Sequence, residues 1–203
     1  MIKILPMYKI SLIIICLFSG IITFSQVNSL PSFEQQRIKY NKKGMLLLGS
    51  WSATNIIISG LASKTNNQQA HYFHNMNMMW NSVNLALATV SYISAGKETT
   101  NNLTLSNVLN HQNKTEKLFL FNTGLDVAYV TAGFYLKERG NSNLNPAKLK
   151  GYGDAVIMQG GFLLLFDAVM YAVHNKHGKN LNNFTDKVQL VAGPLGVAMV
   201  YHF

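Results

Sequence analysis

The chain has 203 residues, enough for one domain and too few for two large ones. Only 12% are Asp, Glu, Lys or Arg, about half the usual share, while 48% are apolar or aromatic, a balance that points to a membrane. The abundance of Leu, Ile, Val, Phe and Tyr excludes disorder over most of the chain, and one cysteine, Cys16, excludes a disulfide framework. The net charge of +9 lies in loops flanking apolar segments, without interleaved aromatics on a soluble face. It therefore fits anionic lipid headgroups and argues against nucleic acid.

In chain order, Lys3 and Lys9 precede an apolar stretch over 10–24, and Thr23 and Ser25 are the small residues a signal peptidase needs. Residues 1–25 are read as a secretory signal cleaved before Gln26, with an uncleaved anchor as the alternative. Residues 26–43, with Arg37, Lys39, Lys42 and Lys43, read as a polar juxtamembrane segment, amphipathic or irregular. Residues 44–187 form the expected four-helix transmembrane domain. Within it the apolar runs 44–62, 76–95, 118–136 and 155–173 each come close to the roughly 20 residues a helix needs to cross the hydrocarbon core. A soluble bundle would show a charged outer face on these helices, and the charges inside the four runs are Asp126 and Asp167 alone. Lys137, Glu138, Arg139 and Gly140 close the third run, and His174 to Gly178 close the fourth. In the tail, 188–203, Gly193, Pro194 and Gly196 weaken a helix, whereas Val197, Met199, Tyr201 and Phe203 alternate as a strand would. A terminal Phe also occurs on barrel strands, but continuous apolar runs upstream oppose a whole barrel. The expected fold is all-α: a membrane-embedded antiparallel four-helix bundle with a short fifth C-terminal helix or strand.

Polar residues inside the runs are the candidate site. Trp51 and Asn55, and Trp80 and Asn84, are each four apart and share a helix face. Asp126 shares faces with Asn122 and Tyr129, and Asp167 with Tyr171. At 1.5 Å per residue, Asn55, Asn84 and Asp126 fall within about 3 Å of the middle of their runs and Asp167 within about 6 Å. A charged Asp at a helix centre costs roughly 2.5–3.5 kcal/mol, so both aspartates should face the interior. Their partners there would be Asn55, Asn84, Asn122, Tyr129 and Tyr171. Such a layer serves either as polar glue between helices or as an ion, proton or ligand site. Gly49 with Ala53, Ala128 with Ala132, and Gly160 with Gly161 offer small surfaces for close helix approach.

Histidines pair at spacing three, His71 with His74 and His174 with His177, but on opposite sides of the bundle, so they do not combine into one metal site. With no His inside the runs, a bis-histidine haem is excluded, and no cofactor or metal is expected. Gly151 and Gly153 lack the third glycine of a dinucleotide fingerprint, and no nucleophile with a base or phosphate loop stands out, so no catalytic residue is assigned. Asn102, Asn113 and Asn183 begin Asn-x-Ser/Thr triplets of the kind that Asn-rich sequence produces by chance. A cleaved signal leaves most loop cations outside, against the positive-inside rule, so inner or outer membrane stays open.

The runs Gly44-Met-Leu-Leu-Leu-Gly-Ser-Trp51, Tyr72-Phe-His-Asn-Met-Asn-Met-Met-Trp80-Asn81, Phe121-Asn-Thr-Gly-Leu-Asp126-Val-Ala-Tyr129 and Gln159-Gly-Gly-Phe-Leu-Leu-Leu-Phe-Asp167 resemble an uncharacterised family of small, signal-bearing, multi-span membrane proteins from Bacteroidetes-type bacteria. The resemblance covers 35–180 and implies a multi-pass protein of the bacterial cell envelope, with no activity, cofactor or catalytic residue attached. The expected function is a non-enzymatic membrane scaffold or binding component with a polar Asp/Asn layer at mid-membrane. The alternative is a proton- or ion-coupled small-solute carrier or channel. Membrane lipids are the expected partners, together with a second copy or another membrane protein.

Overall fold

The computed structural model describes residues 29–201 except 102, 143, 186–187 and 194–195, with side chains described as far as Leu181. The expected signal, 1–25, lies outside the described residues. Four long helices dominate: α1 Leu30–Ala62, α2 Gln68–Lys97, α3 Leu105–Arg139 and α4 Pro146–Thr185, with a 3-10 turn, Gly140–Ser142, between the last two. The tail forms strands β1 Val188–Gly193 and β2 Gly196–Tyr201, paired antiparallel with Val188 opposite Tyr201. Of the two conformations open to it, the strand is the one adopted.

The helix starts follow from local chemistry. The Ser29 Oγ accepts from the Ser32 backbone N–H at 3.3 Å, and a proline occupies the first turn, where its missing N–H costs nothing. Asn67 and Thr104 cap α2 and α3 in the same way, through the N–H groups of Ala70 and Asn107. Each apolar run lies inside one observed helix, and every helix is longer than its run. The largest extension is at the start of α1, where 30–43 continue the helix because Phe33, Glu34, Arg37 and Tyr40 are buried against α3 and α4.

The helices form a bundle. α4 packs along α3 and α2, and α1 packs along α2, but α2 and α3, although consecutive, do not pack along each other and meet at Trp80 and Tyr129. The main core runs through Tyr40, Leu47, Phe119, Phe162, Phe166 and Met170, and a smaller one joins Phe33, Val108 and Leu181. Glycines set the closest crossings. A methyl group at Gly133 would lie 2.7 Å from Ile157 Cγ1 and 2.9 Å from the Gly153 carbonyl, so α3 and α4 meet backbone to backbone there. Gly160 is similarly tight against Val130, whereas Gly161 faces open space, so of that pair only the first is a packing residue.

Two helices, α1 and α4, are long and apolar enough to cross a membrane. α2 is more polar than its expected span because Asn77, Asn81 and Asn84 sit among its apolar residues. Their placement is the notable feature: the buried positions of α2 are Asn77, Asn81, Asn84, Ala88 and Ala95, while Met79, Val83, Leu87, Val90 and Ile93 are each more than half exposed.

Candidate functional site

The polar interior divides into three groups along the bundle. The first lies where the start of α1 meets the end of α2 and the start of α3. Glu34, wholly buried, accepts two bonds from Arg37, at 3.0 and 2.7 Å, and contacts His111 Nδ1 at 2.6 Å. Arg37 also pairs with Glu98 and donates to Thr115 Oγ1 at 3.2 Å. These residues precede the apolar stretch of α1. Burial alone would raise the Glu34 carboxyl, but Arg37 and His111 outweigh it and hold it below the ordinary value of 4.5. Glu34, Glu98 and His111 each place a ligand atom within 4.8 Å of the others, close enough for a shared metal. Arg37 already donates to both carboxylates, so its guanidinium fills the place of the cation.

Nearby, His177 stacks on Phe33 at 3.9 Å and reaches the Phe33 carbonyl at 3.0 Å. His174 stacks on Phe119, and neither of its ring nitrogens has a hydrogen-bond partner. His71 and His74 lie at the far end, against Ser63 and Ser59. The two histidine pairs are thus separated by the length of the bundle.

The second group knots α1, α2 and α4 together. Trp51 Nε1 donates to Gln159 Oε1 at 3.0 Å, and the Gln159 amide donates to Asn77. Asn77 Nδ2 donates to Asn55 Oδ1 at 3.1 Å and to Ser59 Oγ at 2.7 Å, while Asn81 donates to Asn77 Oδ1 at 3.1 Å. Every donor and acceptor of Asn77 is used. Asn55 belongs here, apart from the aspartates with which the sequence grouped it.

The third group is the aspartate pair. Asp126 on α3 and Asp167 on α4 are buried neighbours, and Asn122 lies beside Asp167. Two buried carboxyls so placed disfavour a charge on both at once. Among the described residues no cationic side chain forms an ion pair with either. Because α2 and α3 do not pack along each other, a cleft of about 1080 Å³ opens between them, floored by α1 and α4. Asp126, Asp167, Asn122, Asn84 and Tyr129 all line it, and Tyr129 meets Trp80 edge-on at 4.9 Å. Asp126 Oδ2 and Asn84 Nδ2 are buried without partners. Tyr171 does not line the cleft and packs on the core. The cleft runs along α3 from His111 to Asp126 and Tyr129, about 22 Å from His111 to Asp126 at 1.5 Å per residue. Its middle is apolar, with Val83, Leu87, Leu118 and Leu125 among the lining residues, and its His111 end carries Arg37, Glu98 and Lys114.

Sequence reasoning missed Asn77, Gln159 and Ser59, and the Glu34–Arg37–Glu98–His111 cluster. The signal for the first was present: Asn77, Asn81, Asn84, Ala88 and Ala95 repeat at intervals of three, four and seven, one face of a helix.

Fold and site together define a small helical bundle with a polar interior and one elongated, acid-floored cleft. The chain belongs to a family of unknown function (DUF6992), whose profile matches residues 47–168, a stretch containing the Asn77 knot and both aspartates. No curated protein and no solved structure matches it.

Proposed function

We propose that this is an integral membrane protein, an antiparallel four-helix bundle that binds an amphipathic small molecule in the cleft between α2 and α3 and performs no chemistry on it. The observation that carries the reading is the inverted placement on α2, asparagines inward, Val90 and Ile93 on the outer face, and Met79, Val83 and Leu87 exposed along the open cleft. In water, an exposed apolar surface of that extent would be an association hazard. In lipid it is the ordinary outer face of a helix, and the buried asparagines are interhelical glue. α3 supports this with Phe121, Val127 and Phe134 exposed and Asp126 buried. The cleft adds the binding role, because packed interiors rarely keep voids of this size unless something occupies them.

A proton- or ion-coupled carrier is the second reading, favoured by the unpaired aspartates. The lining of the cleft ends at Met79, Trp80 and Tyr129, and beyond it the Asn77–Gln159–Trp51 knot closes the bundle. That supports a site entered from one end or from the side over a channel running through.

The test uses the two tryptophans. Trp51 stacks flat on Phe162 at 4.0 Å in the core, whereas Trp80 lines the cleft. In the Trp51→Phe protein, placed in nanodiscs containing phosphatidylcholine brominated along its chains, Trp80 should be strongly quenched by chains entering the cleft. A protein released from membranes by alkaline carbonate, or a Trp80 untouched by brominated chains, would refute the proposal.

A further inference from the structure

The floor of the cleft is chemically incomplete. Two carboxyls are buried side by side there, and among the described residues no cationic side chain is paired with either. Asp126 Oδ2 is a buried acceptor without a donor, in a residue 2% exposed, and Asn84 Nδ2 is a buried donor without an acceptor, in a residue 6% exposed. Both residues line the cleft within about 6 Å of Trp80 and Tyr129 along their helices, at 1.5 Å per residue. Carboxyl oxygens and the aromatic rings of Trp and Tyr lining one cleft suit an organic cation, since the ring quadrupole and a carboxylate attract the same charge.

A metal ion fits this floor poorly. The oxygens of Asp126, Asp167 and Asn122 are fewer than the six to eight that calcium gathers, and an ion would leave the apolar length of the cleft unused. An anionic headgroup is repelled by the pair. A primary ammonium on an alkyl chain satisfies every part: its three N–H groups match the carboxyl oxygens, its charge balances the pair, and its chain lies along Val83, Leu87, Leu118 and Leu125. Resting on the cleft as a binding site, we infer that its ligand is a long-chain organic ammonium, held head-down at Asp126 and Asp167 with its chain toward the end marked by His111.

The experiment compares dodecylamine, protonated at pH 7, with dodecanol, which has the same chain and no charge. Both are titrated into the Trp51→Phe protein in phosphatidylcholine nanodiscs while Trp80 emission is followed, with empty nanodiscs correcting for partition. The expected result is saturable binding of dodecylamine at least tenfold tighter than dodecanol. Asp167→Asn should weaken the amine at least tenfold and leave dodecanol unchanged. The wild-type ratio needs no variant, so it decides the matter even if Asp167→Asn does not fold. Equal binding of the two probes would overturn the ammonium and leave the cleft as a site for apolar chains. Binding of neither would overturn the ammonium and the cleft's binding role together.

Discussion

Replacing Asn77 by leucine removes the hub of the knot that joins α1, α2 and α4. The side chain makes three bonds to other helices: it donates to Asn55 and Ser59 on α1 and accepts from Gln159 on α4. Interhelical bonds in membrane bundles average about 0.6 kcal/mol, so their loss amounts to about 2 kcal/mol. The Gln159 amide is then stranded in a fully buried position, which brings the total to about 4 kcal/mol if no neighbour takes it up. Asn81 loses less, because it also donates to the Asn77 backbone carbonyl at 2.8 Å, a bond leucine keeps. Ser82→Leu is the control: Ser82 is exposed on the same helix and donates only to the Met78 carbonyl, so this change should be neutral. Reversible unfolding of the purified protein in mixed micelles measures both. A deficit for Asn77→Leu below about 0.5 kcal/mol would refute the idea that the inward asparagines hold the helices together.

Three further outcomes are expected. Gly133→Ala should destabilise by about 1–3 kcal/mol, because its methyl meets the α4 backbone, while Gly161→Ala, with open space around it, should be neutral or stabilising; similar melting of the two would contradict the tight α3–α4 crossing. The Glu34 carboxyl titrates below its ordinary 4.5 in the folded protein, so its contribution is complete above pH 4.5 and is lost as pH falls through the lower folded value. Melting from pH 7 to 3 should show wild type losing its advantage over Glu34→Gln on acidification, and an advantage that grows instead would contradict the pairing with Arg37. Asn at Asp126 or Asp167 should keep most of the stability, since an amide still donates and accepts, whereas Leu should cost about 1–2 kcal/mol by leaving the facing polar groups buried without a partner; equal losses for the two substitutions, read by unfolding in detergent, would count against a polar contact between the two.

The four helices were legible because unbroken apolar runs of helical length leave few alternatives. Their true ends were not. The 30–43 segment carries Arg37, Lys39, Lys42 and Lys43, and a sequence does not reveal that Arg37 turns inward onto Glu34 while Lys39 stays exposed. Asp126 and Asp167 drew attention through the cost of carboxylates in an apolar run, which is independent of the partner. Asn55 was assigned to their layer by depth alone. Depth fixes position along the axis and says nothing of rotation about it, and rotation is what turns Asn55 toward Asn77. The cleft was illegible for the same reason: it exists because two consecutive helices do not pack along their length, a property of neither one's sequence by itself.

That sparse contact also bears on how the chain assembles. With α2 and α3 meeting chiefly at Trp80 and Tyr129, the molecule is in effect two helical hairpins, α1–α2 and α3–α4, mated mainly along α2 and α4. Each hairpin can insert and close on its own before the two find each other, in the two-stage manner of membrane helices. The width of the groove is then set by how one hairpin seats on the other through the shared core, a joint and not a wall.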